Sequence, residues 1–161
     1  MAYQLQAVAG GELLLRGASE GLVGACVVPL GGGVALVPMT DRLVDAVGEG
    51  DSGRALGFWR LPGGFEAVLA RWSRAGAVAY VEAEYFGGAG EQSAAVWEGG
   101  ELAWGPVHVP EGREFSADGG PISQALRRLG VVAREGQDEF ATLGLGRHRD
   151  NERWIRAGGG R

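Results

Sequence analysis

The chain has 161 residues, a formal net charge of −5 and one cysteine. That length allows one domain with a core of its own, and the single Cys26 excludes an intrachain disulfide. The negative balance argues against a nucleic-acid backbone as ligand, because phosphate contacts demand a basic footprint.

In chain order, Tyr3 to Val8 alternates in hydropathy and predicts a first strand. Gly10-Gly11 reads as a turn and Glu12 to Arg16 as a second strand. Leu22 to Pro29 reads as a third strand buried on both faces, with Cys26 as a small buried hydrophobe in it. Gly31-Gly-Gly33 turns into a fourth strand, Val34 to Pro38, so the first 38 residues predict an antiparallel meander. Thr40 then suits an N-cap and Asp41 the first turn of a helix with Leu43, Val44 and Val47 on its apolar face and Gly48 at its end. Residues 49–54 form a polar loop. Leu56 to Leu61, with Phe58 and Trp59, reads as a short strand or an aromatic plug. Phe65 to Arg74 predicts a second helix, with Phe65, Val68, Leu69 and Trp72 at helical spacing.

Two strand-like runs, Ala77 to Phe86 and Gln92 to Trp97, flank Gly87-Gly-Ala-Gly90 and predict a β-hairpin. Leu102 to Val109 is another strand, followed by a loop from Glu111 to Gly120. Pro121 at the first helical position starts a third helix, Ile122 to Leu129, buried through Ile122, Ala125, Leu126 and Leu129. Asp138 caps a fourth helix ending near Leu143. Residues 144–155 are polar with Trp154 and Ile155 as an anchor, and residues 156–161 read as a frayed tail. Strands come in runs with helices between them. The expected fold is α+β: one domain over 1–155, with a mostly antiparallel sheet and about four helices.

The hairpin concentrates polar chemistry. Alternation puts Tyr80, Glu82, Glu84 and Phe86 on one face, with Glu82 and Glu84 roughly 6.5–7 Å apart along the strand. That spacing would suit an acid/base pair or a cation site with Glu91 or Gln92 as a third partner; a solvated strand face is the simpler expectation. Gly87-Gly-Ala-Gly90 does not read as a phosphate loop, since it leads into a strand and all fifteen basic residues are arginine. His108 and His148 lack the ligand spacing of a metal site, and no nucleophile elbow accompanies any Ser/His/Asp set. No catalytic residue, metal or cofactor is assigned. Arg147-His-Arg149 is the basic patch, expected to pair with nearby acids. The five tryptophans read first as core and hairpin packing, and Trp97 and Trp104, close to turns, are the exceptions placed to present a binding face.

The segments Glu84-Tyr-Phe-Gly-Gly-Ala-Gly-Glu-Gln92, Pro121-Ile-Ser-Gln-Ala-Leu-Arg-Arg-Leu-Gly130 and Leu143-Gly-Leu-Gly-Arg-His-Arg149 together resemble small proteins of GC-rich actinobacteria, some of which look like immunity proteins of bacterial toxin systems. The resemblance spans roughly the C-terminal half and carries no catalytic residue with it. The arginine-for-lysine bias and the 31 glycines fit the codon usage of such a genome.

The functional expectation is a non-catalytic binding protein, an immunity or regulatory partner that occludes a basic protein through Glu82, Glu84, Glu91, Gln92 and Trp97, with Arg147, His148 and Arg149 as a second surface. A small hydrolase or lyase using the paired glutamates is the alternative, and a structural subunit that self-associates through strand edges is a third. The longest apolar run falls well short of the roughly 20 residues of a membrane span, and Met-Ala-Tyr-Gln has no positive n-region. A cytoplasmic location with neither membrane nor nucleic-acid partner is therefore expected.

Overall fold

The computed structural model describes residues 2–48, 53–87 and 89–159. Residues 49–52 of the expected polar loop, Gly88 of the hairpin tip and the last two residues of the chain lie outside them.

Six strands form one antiparallel sheet in the order β2-β3-β1-β4-β5-β6. They are β1 (Tyr3–Gly11), β2 (Val28–Gly31), β3 (Val34–Pro38), β4 (Val78–Phe86), β5 (Ala89–Glu98) and β6 (Glu101–Val109). Among the described residues six helices accompany them: α1 (Glu12–Ala18), α2 (Asp41–Val47), α3 (Phe65–Trp72), α4 (Pro121–Arg128), α5 (Glu139–Thr142) and α6 (Asn151–Trp154). A π-helical turn, Ile155–Gly159, continues the last helix. The α+β class is as expected, and the four predicted helices correspond to α2, α3, α4 and α5.

Two N-terminal expectations are corrected. β1 does not turn at Gly10-Gly11 but runs through Gly11, and Glu12 to Arg16 is helical. Three successive leucines fit either period. Leucine's helix propensity and the Arg16–Glu12 pair at 3.0 Å, one turn apart, favour the helix. The expected third strand also shortens to Val28–Gly31, a four-residue edge strand rather than a doubly buried one. Gly24, at φ +84°, passes so close to α2 that a Cβ there would lie 2.7 Å from the Leu43 backbone nitrogen. The chain therefore bends against that helix before it can pair.

Strand alternation divides the core in two. On one face Leu5, Ala7, Ala9, Val81 and Val96 pack beneath Ile122, Ala125 and Leu126 of α4 and beneath Leu145 and Trp154. On the other, Val8, Val37, Val78, Tyr80 and Trp97 pack beneath Leu15 of α1, Leu43 of α2 and Phe65 and Leu69 of α3. The segment between β3 and β4, together with α1, thus roofs one face and the segment after β6 roofs the other. Thr40 caps α2 as its sequence suggested, its hydroxyl accepting from the Leu43 N–H at 3.3 Å. On the opposite side, Arg127 of α4 donates to Glu139 of α5 through Nε at 2.9 Å and through Nη2 at 3.2 Å. Those bonds hold the Glu139 carboxyl below its usual titration range, against the opposing effect of burial.

Leu126 is fully buried beneath the sheet, so Leu126→Ala should destabilise the fold by about 2–5 kcal/mol in denaturant melts. Glu139 yields a pH prediction. A carboxyl whose titration is depressed on folding contributes stability that is full above its unfolded pKa, about 4.3 for Glu, and is lost as pH falls through the lower folded value. Thermal midpoints of the wild-type chain and Glu139→Gln should therefore differ at neutral pH and converge in strong acid. A gap that does not close on acidification would contradict the assignment.

Candidate functional site

The face roofed by the β3–β4 segment changes character along the strands. Its covered end is apolar. Its open end carries Gln4 and Gln6 on β1, Glu82 and Glu84 on β4, Glu91 and Ser93 on β5 and His108 on β6, placed together by the register pairs Gln6↔Glu82, Gln4↔Glu84, Glu82↔Ser93, Glu84↔Glu91 and Ser93↔His108. Residues 54–62 close over this end as the aromatic plug of the two alternatives, pinned by an isolated bridge between Arg54 and Pro62. Phe58 and Leu61 are buried and the Trp59 indole is 63% exposed.

Glu82 fastens the plug to the sheet. One carboxylate oxygen accepts from the Trp59 N–H at 2.7 Å; the other accepts from the Arg60 N–H and the Tyr80 hydroxyl, each at 2.7 Å. Glu82 is 8% exposed. Burying a carboxylate is costly unless its oxygens are bonded, and here the three donors offset the lost water. The solvated face expected at Glu82 is therefore corrected: this carboxylate is a structural acceptor. Burial chiefly, with the neighbouring negative charge and the hydrogen bond to Glu82, raises the Tyr80 hydroxyl well above its ordinary pKa. Phe58 packs edge-on against Tyr80 with ring centres 4.9 Å apart. Arg60 continues outward, its Nε donating to the Met39 carbonyl at 2.7 Å and its guanidinium pairing with Asp41.

Beyond this anchor lies a groove of about 580 Å³ lined by Arg54, Trp59, Glu84, Glu91, Ser93 and His108, among others. Glu84 and Glu91 stand directly opposite each other in the β4–β5 ladder. Like charges in that position repel, and among the described residues no ion pair engages either of them. Phe86, 72% exposed, lies on the same sheet face two residues beyond Glu84.

The remaining expected site residues are placed elsewhere. Gln92 alternates to the opposite face and is 5% exposed. Its amide donates to the Tyr85 hydroxyl at 2.6 Å and its carbonyl accepts from the Ile122 N–H at 3.1 Å. It thus serves the first turn of α4, where Gly120 has no side chain to act as a cap. Trp97 is 2% exposed within the core, where its large apolar area is best hidden. The expectation of an exposed anchor at Trp97 is corrected, and the accessible indole beside the glutamates is Trp59. Trp104 is half-buried, with the Arg128 guanidinium 5.6 Å from its ring centre.

The Arg147-His-Arg149 segment folds onto its own neighbours. Arg147 donates to the Gly144 and Leu143 carbonyls and lies 5.5 Å over the Trp154 ring, and His148 meets that ring edge-on at 4.6 Å. The Arg149 carbonyl accepts from the Gln4 N–H at 2.7 Å, and the Asn151 side chain exchanges hydrogen bonds with Gln6. The tail therefore docks along β1 beyond the end of β3.

Ser93, His108, Trp59 and Arg54 were not singled out as site residues from the sequence. Two register shifts separate the β5–β6 turn from the Ser93↔His108 pair. Counting straight back from Glu98↔Glu101 would set Ser93 against Pro106 instead. The shifts fall around Gly105, at φ +84°, where a Cβ would lie 2.7 Å from the Ala94 carbonyl oxygen.

Among the described residues no cluster of three or more His, Cys, Asp or Glu is arranged to hold a metal ion, and no helix is long and apolar enough to cross a membrane. Comparison with protein-family models, with curated proteins and with solved structures returned no match.

Glu82 and Glu84 should respond differently to loss of charge. Glu82→Gln turns an amide N–H₂ toward donors that require an acceptor, which should destabilise by about 1–3 kcal/mol. It should also speed tryptic cleavage at Arg54 and Arg60 as the plug loosens. Glu84→Gln should stay within about 0.5 kcal/mol of the parent. Equal effects in urea melts and proteolysis would refute the structural role of Glu82.

Proposed function

We propose that the groove over Glu84 and Glu91 recognises a positively charged segment of a protein partner, and that the protein acts by occupying that partner, as an immunity or regulatory protein does. The observation that carries this is the in-register Glu84↔Glu91 pair, which no ion pair among the described residues neutralises although Arg54 stands on the same groove's wall. An arginine or lysine entering the groove would relieve the repulsion. The exposed Trp59 offers a π-face to the same cation, and Phe86 extends the apolar rim. The net charge of −5 would steer a basic partner toward this surface. A cytoplasmic encounter is part of this reading, and the free Cys26 is compatible with a reducing compartment.

The alternative in which Glu82 and Glu84 act as an acid/base pair is weakened by geometry, since both Glu82 oxygens are occupied by donors of the fold itself. Assembly through strand edges is weakened by Pro29 in the short edge strand β2 and by Pro106 and two register shifts in β6.

The test is kinetic, on a partner recovered from native lysate. Charge reversal at Glu84 and Glu91 should slow association and flatten its salt dependence while leaving stability nearly unchanged. Trp59→Ala should speed dissociation by about ten-fold or more. If the partner binds both variants with wild-type kinetics, the groove is not the interface.

A further inference from the structure

Ser93 and His108 face each other across the β5–β6 ladder and open into the same groove. His108 Nδ1 lies 2.7 Å from Ser93 Oγ, and Nε2 lies 3.0 Å from the Leu56 carbonyl oxygen. A carbonyl oxygen only accepts, so in the neutral ring the proton resides on Nε2. Nδ1 is then the acceptor and the Ser93 hydroxyl donates to it. This is the resting arrangement of a hydroxyl nucleophile held by its base, with the base oriented by a third group. The orienting group is itself unusual. Leu56 is the one non-glycine residue with a positive φ, 57°, among the described residues, and such strained conformations gather where a backbone group must be aimed. The Phe58 ring packs 5.2 Å from the imidazole, and Gly57 leaves room for it, since a Cβ there would stand 3.3 Å from Nε2.

We propose that Ser93 is an acyl-accepting nucleophile with His108 as its general base, and that it reacts with activated esters whose acyl part carries a guanidinium or ammonium group. The cation preference rests on the proposed role of Glu84 and Glu91; the nucleophilicity of Ser93 does not. In the first step the Ser93 O–H proton passes to Nδ1 as Oγ bonds to the ester carbonyl carbon, whose π pair moves onto oxygen. Arg54, on the wall of the same groove, supplies positive charge as that oxyanion develops. Collapse breaks the bond to the leaving oxygen, which takes the proton from Nδ1 and leaves an acyl-Ser93 ester. Water then attacks that ester, giving its proton to Nδ1, and His108 returns it to Oγ as the acid departs. The imidazolium formed in both steps is supported by a carbonyl dipole rather than a carboxylate, which slows both; an activated leaving group carries acylation past this, whereas hydrolysis of the less activated acyl-Ser93 ester lags, so the chain behaves nearly stoichiometrically.

The experiment uses the full chain with p-nitrophenyl 4-guanidinobenzoate and, separately, p-nitrophenyl acetate, reading nitrophenolate release and the site of the adduct by mass spectrometry. A burst approaching one equivalent is expected, with the acyl group on Ser93 and the guanidino ester about ten-fold faster. Ser93→Ala should abolish the adduct. His108→Gln still presents an amide N–H₂ to the Leu56 carbonyl and should slow acylation about a hundred-fold while melting like the parent. No adduct on the folded chain, an adduct elsewhere, or equal rates in His108→Gln would overturn the nucleophile. Labelling of Ser93 that depends on His108 but shows no preference for the guanidino ester would uphold the nucleophile and overturn the cationic substrate class.

Discussion

The Glu82 carboxylate, accepting from two successive peptide N–H groups and a buried tyrosine hydroxyl, fixes what lies above the open end of the sheet. Residues 54–62 form a segment with little regular structure; its Phe58 and Leu61 are buried in the core, and Glu82 decides how its peptides are turned. With both oxygens engaged, the peptide planes of Trp59 and Arg60 are oriented. The indole is thereby sent outward, and the Arg60 side chain is sent to the Met39 carbonyl and Asp41. His108 makes a second attachment through the Leu56 carbonyl. Fastened at both points, the plug becomes one wall of the groove and the sheet the other. A charge that is costly to bury thus gives rigidity to one wall of the groove that holds Glu84 and Glu91.

The period of two along β4 and β5 does the rest. Glu91 and Gln92 are neighbours in sequence, yet one faces the groove across from Glu84 and the other reaches through to the first turn of α4. The same alternation separates Tyr80, bound to Glu82 on one face, from Tyr85, bound to Gln92 on the other. Burial chiefly raises the Tyr85 hydroxyl pKa, while the hydrogen bond from Gln92 pulls it down. Polar residues of the hairpin therefore divide into those that hold helices and loops in place and those that line the groove. Glu84, Glu91 and Ser93 lie on the groove side with the anchored Glu82, and His108 stands across from Ser93.

These assignments give the groove two complementary chemistries. Opposed carboxylates beside an exposed indole suit a cation, and a hydroxyl bonded to an imidazole suits an electrophilic carbonyl. A carbonyl group in place of the usual carboxylate behind His108 limits how well an imidazolium is stabilised. That is the physical reason the proposed nucleophile is compatible with the proposed binding role, in which the protein would hold its target rather than turn it over.

Local signals in the sequence determined a good part of the fold. The cap at Thr40, the helical spacing of Phe65, Val68, Leu69 and Trp72, Pro121 at the start of α4 and the alternation from Tyr80 to Phe86 act over a few residues, where backbone geometry dictates the outcome, and each appears in the structure. Glu84 and Glu91 were legible as a polar rim for the same reason. What only the tertiary structure decided depends on distant partners. Glu12 to Arg16 fitted either period until burial of Leu15 sided with its local helix propensity, and Glu82 became an anchor because residues 59 and 60 bring it their N–H groups. Trp97 was hidden while Trp59 was exposed, since which aromatic meets water depends on which helices roof each face. Ser93 met His108 through two register shifts that no turn rule counts. Periodicity fixes which way a side chain points, but only the assembled sheet and its roof fix what it meets there.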